Sequence, residues 1–289
     1  MRTYQEMMDL ILNIAKQDER IRAVIMNGSR TNPNAPKDPF QDYDIVYLVT
    51  EIDSFLHDPQ WVDAFGERII MQTPEDMELF PPANNGHFAY LMLFADGNRI
   101  DLTLVPIDEK ESCCRADKLT LILLDKDRSI PEIAPPTDED YWVQLPSAAF
   151  FADCCNEFWW VSTYVAKGLW RNEILYALDH LHIIRQMLVK MLEWQVGIQT
   201  DFAVSTGKNG KYLQKYMAEL SWKELLSTYP GGSCEEAWIS LFAMCKLFRS
   251  SSLFVAERLG FEYPARDDQR VSAYLEQVRS LPSDAAEIF

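Results

Sequence analysis

Strand signals stop at a Pro-rich acidic stretch, residues 130–146 (IPEIAPPTDEDYWVQLP), and everything beyond it reads as helix. That break points to two domains of different kinds, one bearing a sheet and one built from helices. Before it, residues 21–27 (IRAVIMN) and 43–49 (YDIVYLV) have the apolar, β-branched and aromatic content of buried strands. Residues 68–71, 87–94 and 99–105 are further strand candidates. The last two are joined by Ala95-Asp96-Gly97-Asn98, a hairpin signal. Residues 30–41 are dense in Pro, Asn and Asp and form a loop. After the break, 147–167 and 170–196 read as long helices with Gly168 and Gly197 as their stops. Helices at 209–219, 222–229, 234–259 and 268–280 complete the second half. The expected fold class is α+β: a mixed β-sheet flanked by helices over 1–135, a linker over 136–146, and an all-α helical domain over 147–289.

Charge narrows the partners. The chain carries 27 basic and 44 acidic side chains, a net of −17. Residues 1–145 hold 13 basic and 27 acidic of these, a net of −14, so the first half carries most of the excess. Without a basic surface to meet phosphate, binding to DNA or RNA is not expected. An acidic surface suits solubility or a cationic small molecule. Residues 1–22 read as an amphipathic helix rather than a signal peptide, and no uninterrupted apolar run of membrane-spanning length is evident. The six cysteines include the vicinal pairs Cys113-Cys114 and Cys154-Cys155 but no CxxC, which argues for reduced core thiols in a cytoplasmic protein.

The densest chemistry lies in the first half. Gly28-Ser29 follows a buried strand, and twelve residues later comes Asp42-Tyr43-Asp44-Ile45. Side chains two apart on a strand share a face, so Asp42 and Asp44 present two carboxylates together. Adjacent anions repel unless a cation sits between them, and Mg²⁺ takes a few carboxylates plus phosphate oxygens. Asp101 lies in a strand whose apolar residues Ile100, Leu102 and Leu104 belong to the other face. If that strand pairs beside 43–49, the three acids converge on one metal site. A glycine at a strand end lets backbone approach a phosphate closely. Ser29 adds a hydroxyl and Arg30 a guanidinium suited to phosphate.

These residues resemble the nucleotidyltransferase superfamily whose small catalytic domain is shared with DNA polymerase β. Asn27-Gly28-Ser29-Arg30-Thr31-Asn32, Phe40-Gln41-Asp42-Tyr43-Asp44-Ile45-Val46 and Arg99-Ile100-Asp101-Leu102 further resemble the aminoglycoside 6-adenylyltransferases. So do Met71-Gln72, Glu78-Leu79-Phe80-Pro81-Pro82, Tyr176-Ala177-Leu178-Asp179-His180 and Gly207-Lys208-Asn209. The resemblance implies a catalytic domain at 1–135 that transfers AMP from Mg-ATP to a drug hydroxyl, with pyrophosphate leaving. The 6-hydroxyl of streptomycin is the acceptor it implies, and antibiotic resistance the consequence. Two alternatives stand beside it. One is a nucleotidyltransferase with another acceptor, either a different aminoglycoside or a protein hydroxyl; the other is a non-catalytic nucleotide-binding module.

The helical half offers further candidates. Asp42, Asp44 and Asp101 would hold Mg²⁺, and either Asp101 or Asp179 would take the proton. Asp179 lies among Leu175, Leu178, Leu181 and Ile184, which look core-facing, so a partly desolvated carboxylate at a domain cleft is expected there. Lys208 and Lys211, at the glycine-rich start of a predicted helix, fit β- and γ-phosphate binding, with Lys215 a weaker choice. Asp153, Glu157, Trp142 and Trp170 offer carboxylates and flat faces to a guanidinium-bearing drug. Glu75, Asp76 and Glu78 add negative potential, whereas His180 and His182 are expected to be structural. The chain would act as a monomer or homodimer, with no membrane partner.

Overall fold

In β1 (Ile21–Asn27) and β2 (Tyr43–Val49) nearly every residue is buried, so both faces of these strands need cover. The structure, a computed structural model, describes residues 1–82 and 86–289. It divides into two compact units, Met1–Asp140 and Tyr141–Phe289. In the first, β3 (Arg68–Gln72), β4 (Phe88–Phe94), β5 (Arg99–Pro106) and β6 (Leu121–Asp125) complete a six-stranded sheet. Its order is β3-β4-β5-β2-β1-β6. Among the described residues β2 and β5 run parallel and the other neighbouring strands antiparallel. No strand is predicted at 121–125, where the residues are Leu-rich rather than β-branched; pairing with β1 makes it one.

Each face has its own core. Helix α1 (Tyr4–Gln17) starts at a Thr3–Glu6 capping box and lays Met7, Met8, Ile11 and Ala15 on one face. There they meet Val24, Met26, Ile45 and Tyr47. Helix α2 (Asp53–Leu56) and the 3-10 segment Pro59–Phe65 extend this cover with Phe55, Val62 and Phe65. On the other face Ala23, Ile25, Val46, Leu48 and Val105 are closed by Cys114 of α3 (Lys110–Arg115), with Ile130 and Ile133 packed alongside. This second core is short, and residues 42, 44 and 101 are outside it.

The second unit packs α4 (Ala148–Trp170), α5 (Ile174–Gln199), α6 (Glu219–Leu226), α7 (Cys234–Leu259) and α8 (Ala265–Ser280) around one core. Phe158 and Phe248 stack at its centre, 3.7 Å between ring centroids. Gly168 and Gly197 are not stops. Both lie inside helices, where an added Cβ would come within 2.8 Å of Tyr176 and 2.6 Å of Phe202. The chain turns instead at Asn172, and at Asp201 and Phe202, all with positive φ. Helix α7 is long and apolar enough to cross a membrane by length and composition, with mean hydropathy 1.4, although Lys246 and Arg249 interrupt its apolar run. It is a core helix here, placing Trp238, Leu241, Met244 and Phe248 in the interior.

Candidate active site

Where the second face of the sheet loses its cover, the residues facing out are acids. Parallel pairing of β2 with β5 sets Asp44 directly beside Asp101. Asp42, two residues before Asp44, shares its face. The Asp42 and Asp101 side chains keep 34% and 22% of their exposure, enough for a small ligand to reach them. Burial, reinforced by Asp101 and Asp42, pushes the Asp44 carboxyl up to about 6. Burial also raises Asp42, partly opposed by Arg99.

Arg99 is the unexpected member of this cluster. It lies two residues before Asp101 on β5, hence on the same face. Its Nε and Nη2 each donate to one Asp101 carboxylate oxygen at 2.8 Å, a two-pronged fork. Its Nε also lies 3.7 Å from Asp42 Oδ2. Among the described residues, no three His, Cys, Asp or Glu side chains close tightly enough to hold a metal. The expected convergence is therefore a neighbourhood of carboxylates with a guanidinium beside it, because three bare anions repel. The spacing Arg99-x-Asp101 carried the signal for this pair.

The donor set nonetheless fits a hard divalent cation. Three carboxylates share one patch, and burial, with Asp101 and Asp42 beside it, raises the Asp44 carboxyl to about 6. The turn beside them is cut to the same shape. Gly28 has φ +74°, and a Cβ there would lie 1.9 Å from Asp44 Oδ2, so only glycine leaves room for that carboxylate. Gly28–Arg30 forms a 3-10 turn carrying Ser29. Gln41 Nε2 donates to the Ser29 carbonyl at 3.1 Å, and the Thr31 hydroxyl lies 2.7 Å from the Leu119 carbonyl.

Arg30 departs from its expected role. Its Nε and Nη2 donate to the carbonyls of Asp42 and Gln41 at 3.0 and 2.6 Å, and its guanidinium stacks 3.7 Å from the Tyr43 ring. It ties the Gly-Ser turn to the start of β2 instead of standing ready for phosphate. A groove of about 500 Å³ opens beside the acids, lined in part by Phe40, Asp42, Ile70, Gln72, Leu91 and Arg99. Sequence reasoning missed this groove because nothing local tells that Ile70 on its strand and Phe40 in its loop stand uncovered; they are 65% and 88% exposed.

In the second unit the candidates are surface residues. Asp179 is exposed on α5, not desolvated: Leu181 and Ile184 are buried in the core and Leu178 packs against it, but Leu175 is 79% exposed. His180 is structural, its Nδ1 2.8 Å from the Tyr176 carbonyl and its ring against Tyr164 and Tyr176. No helix forms at 209–219. Gly207, Asn209 and Gly210 all take positive φ, which breaks the helical path into 3-10 turns at Lys208–Gly210 and Leu213–Lys215. Lys208 and Lys211 are thus exposed loop cations, without a helix N-terminus behind them. Lys211 and Lys215 flank the Tyr212 ring at 5.0 and 4.3 Å. Asp153 and Glu157 share one exposed stripe of α4. Trp170 does not join them: it stands thirteen residues further on, roughly 20 Å along the helix axis. There it lines a separate cavity with Lys167, Arg171 and Glu287.

Comparison with known proteins gives the family. A family model described as streptomycin adenylyltransferase matches residues 1–278. An aminoglycoside 6-adenylyltransferase of Bacillus subtilis (strain 168) is 51% identical over 270 residues, covering 93% of this chain and 95% of that protein. Another from Campylobacter jejuni is 49% identical over 276 residues, covering 95% of each chain. A crystal structure of an aminoglycoside 6-adenyltransferase from Bacillus subtilis is 45% identical, covering 97% of this chain and 100% of that one, with a TM-score of 0.49.

Proposed function

The chain belongs to the aminoglycoside 6-adenylyltransferase family of the nucleotidyltransferase superfamily, and from that premise we propose that it transfers AMP from Mg-ATP to the 6-hydroxyl of streptomycin. The observation that carries this reading is the parallel register that sets Asp44 beside Asp101, with Asp42 on the same face and Gly28 cut to admit the Asp44 carboxylate. Magnesium held by Asp42, Asp44 and Asp101 would supply Lewis-acid stabilisation to the triphosphate and to the departing pyrophosphate.

The protein's own groups do the rest. Backbone N–H groups and the Ser29 hydroxyl of the Gly28–Arg30 turn receive phosphate oxygens. Lys208 and Lys211 bind the β- and γ-phosphates as point charges. Asp101 accepts the proton of the attacking hydroxyl, with Asp179 the alternative base. The groove beside Asp42 takes the acceptor, whose guanidinium groups suit the strongly acidic first half. Asp153, Glu157 and Asp179 contribute further carboxylates to the drug. Resistance to streptomycin follows, because an adenylylated hydroxyl changes both shape and charge.

Pyrophosphate release from Mg-ATP by the purified protein tests this directly, run with streptomycin, with kanamycin and with no acceptor. Release with streptomycin alone is expected. Release with kanamycin alone would reassign the acceptor, and release with neither drug would overturn the proposed reaction.

A further inference from the structure

Asp101 is proposed above as a metal ligand, yet both of its oxygens are already engaged. Arg99 Nε and Nη2 donate to Oδ1 and Oδ2 at 2.8 Å each, and this fork aims the Asp101 lone pairs at a guanidinium. The pairing is built in by the backbone. Arg99 and Asp101 are two apart on one strand face, and antiparallel pairing with β4 fixes Arg99 opposite Leu93. Within the same patch the guanidinium lies 3.7 Å from Asp42 Oδ2. With Arg30 acting from the turn beside Asp42, it is the positive charge that pairs directly with the acids of this patch.

Two further observations say that this charge can leave. The Arg99 side chain is 44% exposed, so no core contact must break for it to rotate away. It also lines the groove that opens beside Asp42, which gives the released guanidinium somewhere to go. Its pairing costs less to break than a buried pair would, because solvent screens the separated ions.

We propose that Arg99 is the resident counter-cation of the acidic patch, and that a divalent metal binds by displacing its guanidinium from Asp101 into the groove. The inference rests on the metal reading of Asp42, Asp44 and Asp101. A ligand that binds only one of two states must work against the population of the other, so the fork lowers the apparent metal affinity. It also couples metal entry to the groove wall proposed to meet the acceptor. Arg99 acts through Asp101 and is a positioning residue.

The test is Mn²⁺ binding to the full chain without nucleotide, followed by electron paramagnetic resonance of the free ion. Arg99→Gln is expected to bind Mn²⁺ about ten-fold more tightly than the wild type, because the competitor is gone. Arg99→Lys keeps the charge but loses the fork, and should lie between them. In EDTA the Arg99→Gln protein should melt at a lower temperature than the wild type, and Mn²⁺ should raise its melting temperature by a larger step. Mere damage to the site would weaken metal binding, the opposite direction. If wild type and Arg99→Gln bind Mn²⁺ equally, or the variant binds more weakly with a native circular dichroism spectrum, the displacement is wrong. If neither binds Mn²⁺ at millimolar concentration, the metal reading itself falls, and the displacement with it. Should Arg99→Gln fail to fold, Arg99→Lys decides the question: binding no tighter than wild type overturns the proposal.

Discussion

Strands β2 and β5 have two ends on the same face, and the ends behave as different materials. At one, Leu48 pairs with Val105 beneath α3, with Leu48 fully buried and Val105 nearly so. At the other, four residues away along β2 and about 13 Å by strand geometry, Asp44 pairs with Asp101, both half-buried and without apolar cover. Backbone register and pleat are shared, so the difference lies in what covers each end. The covered end stabilises the unit by removing apolar surface from water. The open end places like charges side by side, which costs stability and creates the chemistry. A few strand residues thus separate the part that holds the fold from the part that uses it.

Substitutions at the two ends should break along that line. The largest effect is expected from Asp44→Asn, which removes a proposed metal ligand without changing the side chain's size. Pyrophosphate release should fall by about a thousand-fold or more, on the order of 4 kcal/mol in the barrier. A variant within ten-fold of the wild type would remove Asp44 from the chemistry. At the covered end, Leu48→Ala should leave a cavity and cost about 2–5 kcal/mol in the unfolding transition of the first unit, followed in urea. Its activity per folded molecule should stay within about three-fold. A loss of activity there as large as that at Asp44 would mean the two ends are not separable.

The acidic end should also show its cost as a dependence on pH. In the folded chain the Asp44 carboxyl is raised from an ordinary 3.8 to about 6, chiefly by burial, so folding favours its protonated form. Below the ordinary value the carboxyl is protonated in both states and costs nothing. As pH rises from about 4 through about 6 the folded state must hold an unwelcome charge, and stability is lost. Metal-free Asp44→Asn should therefore be more stable than the wild type by roughly 1–3 kcal/mol at pH 8, with the gain vanishing near pH 4. Urea titrations in EDTA at the two values measure it. A gain that persisted unchanged at pH 4 would trace to something other than the charge.

What was legible in the sequence follows the same division. Strand residues declare themselves: alternation around Ile100, Leu102 and Leu104 put Asp101 on the right face, and the Gly-Ser turn announced itself by position. Arg99 was equally readable from its spacing to Asp101, yet a cation beside three acids draws less notice than the acids do. The groove was not readable, because exposure of Ile70 and Phe40 depends on where cover stops, which no local pattern encodes. Helix faces were harder again. Leu175 looked core-facing beside Asp179 but is exposed, since one turn at a helix start can project past its neighbours. The loop at 207–215 defeated a helix prediction because Gly207, Asn209 and Gly210 all take positive φ, a conformation these residue types permit but do not require.

That loop supplies the smallest expected effect and a second contrast with the acids. Strand-borne Asp44 is fixed by a register, whereas Lys208 is an exposed side chain on a 3-10 turn and must pay conformational entropy to meet a phosphate. Its contribution should be that of a screened charge, without helix-dipole support. Lys208→Ala should accordingly raise the KM for Mg-ATP by about three- to ten-fold, roughly 1 kcal/mol, with kcat changed little. Since the Debye length shrinks to roughly 3 Å at 1 M salt, the difference between variant and wild type should narrow as KCl is added. The Asp44→Asn defect should not narrow, because it removes a short-range ligand. Steady-state kinetics at low and high KCl separate the two. A Lys208→Ala defect that fell on kcat and ignored salt would place this lysine against the reacting phosphate, held as firmly as the strand-borne acids.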